Sequence, residues 1–386
     1  MRGGFKKGPK HVSGMPPSLA KVDFEALVAA YDPESRDTFV SLYLDLTDDR
    51  RDAAVERRAR EVRAALAEGE GDVEAFDRAL AEAARLAKKT ASAAGARGVA
   101  AFASPAHGFG RAFALAAPVE NRVVLDSSPY VRPLARHVDE HEAFVLVLID
   151  GEHGVVYLVD EGIPDLAGRS RMSLIGRHKK GGMSQMRYQR HRQGRVEKFY
   201  AEIAGHVDRL VEGGEASRVF VAGPGQAKRQ FVDHLGAKAR EGLLAVEDVD
   251  FKGATADDVL LKRFMDLARR EEAEASAEAV RMLAGAFARG DLTAGGGLET
   301  ARAARDGRVD LLVVEKDHTV PGGKCETHQS YFPPGERCAC GSEGTKVDLA
   351  NEAIEGVLRT EGSVEFVKRG HPILREIDGL GALLRW

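Results

Sequence analysis

Two groups of residues have the types and spacing to do chemistry. The first is Gly181-Gly182-Met183-Ser184-Gln185. A glycine pair lets the backbone swing widely and approach a ligand closely. Gln185 offers a neutral amide, donor and acceptor at once, which can orient a water or an oxyanion but cannot take a proton at neutral pH. Chemistry at this tip is therefore positioning chemistry, with a partner supplying the rest. The plain alternative is a surface turn that needs glycine for its geometry alone. The second group is Cys325-x2-His328 followed, after nine residues, by Cys338-x-Cys340. Three thiolates and an imidazole are the donor set of a closed structural zinc site, with Tyr331-Phe332-Pro333-Pro334-Gly335 as the return loop. Its Cys-x-Cys half is tighter than the usual Cys-x2-Cys, and unmetallated thiols are the alternative. Four protein ligands would leave no open position, so the ion would serve structure rather than catalysis. His318 nearby reads as an ordinary surface histidine.

The glycine tip lies inside a run of cations. Residues 168–198 hold ten Lys or Arg and one acid, Glu197, in a chain whose formal charge is −4. A local stripe near +9 in an acidic protein points to a polyanionic partner rather than to general stickiness. Arg177, Lys179 and Lys180 precede the tip. After it, Arg187, Arg190 and Arg195 or Lys198 recur near helical spacing, and His191 and Arg192 broaden the stripe. Such cations bind phosphates through counterion release. A solvated helix face explains most charge runs, but such faces normally mix signs. Two further glycine-rich loops, Gly223 to Lys228 and Gly295 to Gly297, lack the spacing of a phosphate-binding loop. Both read as tight turns, although the second precedes a helix and could cradle a phosphate.

The elements that must position these residues predict an α/β (α+β) fold. A length of 386 residues calls for two or three domains. Residues 1–21 are basic, carry no apolar core of a signal peptide, and read as a disordered tail. Residues 22–140 read as an N-terminal α/β domain: a half-buried strand over Val40–Leu46, helices over Arg51–Ala67 and Val73–Lys89, then short strands at 98–102, 110–116 and 122–125. Residues 141–256 form a middle domain. It opens with a hairpin, 144–149 with 155–159, continues through the basic segment and a long helix from Arg187 to Glu212, and ends in a strand–turn–helix from Arg218. Residues 257–386 form a C-terminal α/β domain with a small Cys-rich insertion at 325–340. A composition of 44% apolar and 30% charged residues is that of a globular protein. No apolar run has the length of a membrane span, so no membrane partner is expected. Three clustered cysteines are not a disulfide framework, and a cytoplasmic location follows. No apolar patch specifies a dimer, so a monomer is expected.

The stretch GRHKKGGMSQMRYQRHRQGRVEKFYAEIAGHVDRL resembles the middle-domain signature of archaeo-eukaryotic class-1 release factors and Pelota-type rescue factors, written G-G-Q-S-x-x-R-F-x-x-x-R in the release factors. Gly181, Gly182, Ser184, Arg187, Tyr188 and Arg192 fall on that pattern. VFVAGPGQAKRQF resembles the next block of the same domain, and LLVVEKD, the cysteine insertion and the terminal GLGALLR resemble the third domain. The resemblance spans about residues 140 to 386; the N-terminal part is similar only loosely, to the bacterial branch. Two departures matter. Met183 stands where release factors carry the glutamine, and Gln185 stands two residues on, a pattern similar to related bacterial and ribosome-quality-control tRNA hydrolases. Stop-codon-reading motifs of the N-I-K-S type are absent from residues 22–139.

The resemblance implies a protein of the ribosomal A site. Its middle-domain loop would reach the peptidyl-transferase centre, its first domain would face the decoding region, and its third would face the stalk side or a translational GTPase. rRNA and peptidyl-tRNA are the implied partners, with Lys180, Arg187 and Arg190 on their phosphates. Two functions fit. Gln185 positions water against the ester of peptidyl-tRNA in ribosome rescue, or the same loop occupies the centre without chemistry, as a hibernation factor. Met183, apolar and flexible, suits the second. An RNA-binding protein unrelated to ribosomes is a third reading.

Overall fold

The computed structural model describes residues 24–31, 38–69, 71–93, 95–172, 184–250 and 258–386. The chain divides into two compact units. Residues 23–139 and 275–386 pack together as the first, and residues 140–274 form the body of the second.

The first unit opens with the short helix α1 (Phe24–Val28) and an antiparallel sheet of β1 (Phe39–Asp45), β2 (Gly98–Ser104), β3 (Phe109–Leu115) and β4 (Arg122–Asp126), in the order β3-β2-β1-β4. Helices α2 (Arg51–Glu68) and α3 (Val73–Thr90) follow β1, and α4 (Arg132–Glu140) closes this half. In α3 the buried residues Phe76, Ala79, Ala83 and Ala87 fall on one face at helical spacing, and the Asp72 carboxylate caps the start by accepting from the Ala75 N–H. That face packs with Val40, Leu42, Val99, Ala101 and Ala103 of the sheet. The alternation over Val40–Leu46 suggested a half-buried strand, but β1 is covered on both faces: Ser41 and Tyr43 are fully buried. The reason is hydrogen bonding. Ser41 Oγ accepts from the Tyr130 N–H at 2.8 Å and the Tyr43 hydroxyl donates to the Tyr130 carbonyl at 2.6 Å.

The second unit is a five-stranded sheet of β5 (Phe144–Ile149), β6 (His153–Asp160), β7 (Ile163–Arg171), β8 (Arg218–Gly223) and β9 (Leu243–Asp248), in the order β7-β6-β5-β8-β9. Strands β5, β8 and β9 are parallel, and β6 and β7 run back as hairpins. Every residue of β5 is buried, because both faces are covered. Val145, Val147 and Ile149 meet the long helix α5 (Ser184–Glu212) and the short helices α6 (Ala227–Val232) and α7 (Ala237–Glu241). Phe144, Leu146 and Leu148 meet the first half of α8 (Asp258–Arg289) through Phe264 and Leu261. Strand β7 was not legible in sequence: its nine residues show no apolar alternation, and pairing with β6 holds it.

The chain then returns to the first unit. Strands β10 (Thr293–Gly295), β11 (Val309–Glu315), β15 (Ser363–Val367) and β16 (Leu380–Leu384) make a sheet in the order β10-β16-β11-β15. Helices α9 (Gly297–Arg305), α10 (Leu349–Arg359) and α11 (Pro372–Glu376) accompany it. A smaller sheet of β12 (Pro321–Cys325), β13 (Ser330–Phe332) and β14 (Thr345–Asp348) carries the cysteines.

Helix α10 is buried from Leu349 to Val357, including Asn351, Glu352 and Glu355. Buried carboxylates must find partners, and here they come from far along the chain. Lys324 pairs with Glu352 at 2.9 Å and the Tyr331 hydroxyl donates to it at 2.8 Å. Ser128 Oγ and Asn351 Nδ2 donate to Glu355 Oε1 at 2.9 and 2.6 Å. Arg132 pairs with Asp348 at 2.8 Å, and the Tyr130 hydroxyl donates to the same carboxylate at 3.0 Å. The Glu355 carboxyl is pushed up to about 8 by burial and by the Glu352 carboxylate beside it. A free glutamic acid ionises near 4.5. Between those values the folded chain keeps a proton that the unfolded chain has lost. This contribution to stability is therefore complete below the window and is lost as pH rises through about 8. Glu355→Gln retains an oxygen for both donors and abolishes the titration. In thermal unfolding followed from about pH 5 to about pH 9, the wild type should lose stability relative to the variant across that window; parallel curves would contradict the assignment.

Candidate functional site

The glycine tip is carried between β7 and α5. Arg177, Lys179, Lys180, Gly181, Gly182 and Met183 lie outside the described residues, and so do the side chains of 184–192, which include Gln185, Arg187, Arg190 and Arg192. The backbone of 184–192 belongs to α5, so Gln185 sits in its first turn. At about 1.5 Å per residue, the 29 residues of α5 extend about 43 Å. Among its described side chains, the buried positions begin at Phe199 and continue through Tyr200, Ile203, Ala204 and Val207. The preceding fifteen residues, which hold Arg187, Arg190, Arg192, Arg195 and Lys198, contribute none of the fully buried core among the described side chains. The described packing of the helix is through its C-terminal half, and its first residues follow the tip in sequence.

Close approach between α5 and the sheet fixes the two stems. Gly168 on β7 lies under the His206 ring, where a Cβ would stand 2.5 Å from the imidazole. Gly154 on β6 likewise admits Ile203, with 2.7 Å to a would-be Cβ. Ser170 Oγ donates to Glu202 at 2.9 Å, a second tie between β7 and α5. Burial, and then the Arg209 charge, hold the His206 imidazole below its ordinary value, which suits its role as acceptor of the Arg209 guanidinium at 2.7 Å.

In the other glycine loops, the groups that could meet a phosphate have partners within the protein. Lys228, 1% exposed, turns its ammonium onto the Gly225 carbonyl at 2.7 Å and onto the Asp248 carboxylate at the end of β9. The one cation of that loop therefore locks the turn between β8 and α6 to the neighbouring strand. At the second loop the Gly295 N–H donates to Glu299 at 3.2 Å and the Gly296 N–H donates to the Leu380 carbonyl at 2.9 Å. Two of the N–H groups of that loop, those of Gly295 and Gly296, are thus taken by the protein's own acceptors.

Cys325, His328, Cys338 and Cys340 come together, with all four donor atoms within 4.8 Å of one another. Cys325 Sγ lies 3.7 Å from both His328 Nδ1 and Cys340 Sγ, and Cys338 Sγ lies 3.4 Å from His328 Nδ1. Hairpin pairing of β12 with β13 sets Cys325 opposite Ser330 and places His328 in the turn between them. The second pair sits on a tight loop in which the Gly341 N–H donates to the Cys338 carbonyl at 2.8 Å. Cys325 and Cys338 are buried against Phe332, while His328 and Cys340 face outward. The Ser330 hydroxyl and the Cys340 N–H hold the Cys338 thiol down to about 6, which favours the thiolate that a metal requires. The spacing of the cysteines foretold this cluster. Nothing in that spacing points to Ser330 beside Cys338, which strand register reveals.

The comparisons with known proteins bear on the same residues. Residues 129–269, which include both stems and the tip, match the profile of bacterial archaeo-eukaryotic release factor family 10. The chain is similar to members of the archaeo-eukaryotic release factor and Pelota superfamily. It is similar to peptide chain release factor subunit 1 of Pyrococcus abyssi, 25% identical over 291 residues, covering 68% of this chain and 70% of the relative. It is also similar to the pelota homolog of Methanopyrus kandleri, 27% identical over 249 residues, covering 63% and 62% of the two chains. Solved structures similar to it include Archaeoglobus fulgidus Pelota, 21% identical with a TM-score of 0.32 over 68% of this chain and 71% of that one. A model of ribosome-bound archaeal Pelota and ABCE1 is 20% identical with a TM-score of 0.42, over 70% and 73%. Among the described residues no helix is long and apolar enough to cross a membrane.

Because Gly168 is what allows His206 to lie on β7, Gly168→Val should force the stems apart. The expected cost is about 1–3 kcal/mol of overpacking, read as a lower urea midpoint; an unchanged midpoint would contradict the stem assignment.

Proposed function

We propose that this protein is a ribosome-binding translation factor that enters the A site and delivers its Gly181-Gly182-Met183-Ser184-Gln185 loop to the peptidyl-transferase centre, where it promotes hydrolysis of peptidyl-tRNA in ribosome rescue without reading a stop codon. The observation that carries this reading is the pair of elements the tip connects in sequence: the edge strand β7 before it, and after it the helix α5, whose described buried side chains are seated on the sheet from Phe199 onward. Similarity to the superfamily supports it, as do the names of relatives that are release factors and Pelota proteins. In hydrolysis, water adds to the ester carbonyl and the tRNA hydroxyl leaves. The Gln185 amide orients that water or the developing oxyanion, and the ribosome supplies the remaining groups. Arg177, Lys179, Lys180, Arg187, Arg190 and Arg192 bind RNA phosphates around the loop.

In this reading residues 22–140 face the decoding region, 141–256 carry the loop, and 257–386 face the stalk side or a translational GTPase. The factor acts as a cytoplasmic monomer. Met183 at the position of the release-factor glutamine favours a second reading, a hibernation factor that fills the same site without chemistry.

The Cys/His cluster is assigned to structural zinc. A tetrahedral zinc ion with Zn–S near 2.3 Å and Zn–N near 2.0–2.1 Å sets S···S edges of about 3.8 Å and S···N edges of about 3.6 Å. The separations of 3.4–3.7 Å fit those edges. Cys325, His328, Cys338 and Cys340 would fill all four positions, so the ion would supply cross-linking and no reactive site.

Two measurements test these assignments. Co-sedimentation should show ribosome binding that weakens with salt, and Arg187→Ala with Arg190→Ala should reduce the slope of log affinity against log salt by roughly 1.5. Absence of binding even at low salt would overturn the ribosomal reading. Elemental analysis of the purified protein should find about one zinc per chain, and none in Cys325→Ser; a metal-free wild type would end the zinc assignment.

A further inference from the structure

Three residues beside Cys325 and His328 reach one side chain, Tyr31. Lys324, which precedes Cys325, holds its ammonium 4.4 Å above the Tyr31 ring. Glu326, which follows Cys325, accepts the Tyr31 hydroxyl proton. Gln329, which follows His328, donates from Nε2 to the Tyr31 oxygen at 3.0 Å and to the Glu326 carbonyl at 2.7 Å. Gln329 stands at φ +48°, a left-handed conformation that a side-chain-bearing residue adopts only when its surroundings impose it. The turn 326–329 is thus both the ligand-bearing loop and the socket for Tyr31. Immediately before that tyrosine, Leu27 and Val28 of α1 are 1% exposed, and the Arg359 guanidinium at the end of α10 donates to the Val28 carbonyl at 3.1 Å.

We propose that the Cys/His centre is a metal-dependent latch for the N-terminal segment. The ion fixes the turn 326–329, the turn grips Tyr31, and Tyr31 holds α1 on the C-terminal half of the first unit. Residues 1–21, with five Lys or Arg and no acid, precede this segment in sequence. The proposal rests on the zinc assignment. Its physical basis is that a four-residue hairpin turn has little apolar surface of its own, so the ion supplies the constraint that the turn lacks.

Hydrogen exchange on the full-length protein tests the latch. The metal is removed with a chelator, its content is measured in parallel, and exchange is read in peptides covering residues 24–31 and the β5 strand Phe144–Ile149. The expected result is a rise in exchange of about tenfold or more over 24–31 on metal loss, with β5 unchanged. Tyr31→Ala should release the same segment while keeping its full zinc content, which separates latch opening from general unfolding of the cysteine module. Unchanged protection of 24–31 in metal-free protein, or in Tyr31→Ala, would overturn the latch and leave the zinc assignment standing. A wild type that holds no zinc would remove both.

Discussion

The structure depends on how one buried helix satisfies its polar groups. Helix α10 is enclosed on all sides yet carries Asn351, Glu352 and Glu355, with Asp348 at its cap. A buried carboxylate without a partner costs several kcal/mol, and removing one partner of a buried pair costs about 3–5 kcal/mol. The partners here are Ser128, Tyr130 and Arg132 from the N-terminal half and Lys324 and Tyr331 from the cysteine module. One polar network of ion pairs and hydrogen bonds therefore joins three parts of the chain that are far apart in sequence. It explains why residues 23–139 and 275–386 form a single compact unit, and why Lys324 stands where it can meet both Glu352 and Tyr31.

The second unit solves a different problem, a well-seated base for the two stems of the loop. Its sheet is covered on both faces, its turn from β8 to α6 is locked by Lys228, and α5 is seated by glycine contacts with β6 and β7. A positioning amide accelerates a reaction only if its reach is defined to within a fraction of an ångström. The seating of α5 and β7 defines where the loop begins and ends. The ribosome, in the proposed function, defines the rest.

The sequence made some of this legible and left some hidden, for identifiable reasons. Helix α5 and strand β5 stand out because their apolar residues recur at the spacing of a packed face or run unbroken through a covered strand. The cysteine cluster stands out because metal ligands obey short spacings, and the structure brings those four side chains together. Strand β7 is hidden because Ile163-Pro164-Asp165-Leu166 has no alternation. Both-face burial of β1 is hidden because its cover comes from Tyr130 through backbone hydrogen bonds. The roles of Tyr31, Ser330 and Lys324 are hidden because they depend on strand register and on contacts across up to nearly three hundred residues. The tip itself was the feature most visible in sequence, and its side chains lie outside the described residues.

The central claim is that the loop acts on peptidyl-tRNA through Gln185. It is tested most directly by single-turnover release of a labelled peptide from stalled ribosomes, comparing wild type with Gln185→Ala at concentrations that saturate binding of both. The account predicts release by the wild type, with a loss of about 10²–10³ in rate for the variant, the size expected for removing one positioned donor. Saturated ribosomes that release no peptide, or that release it equally fast with Gln185→Ala, would contradict it.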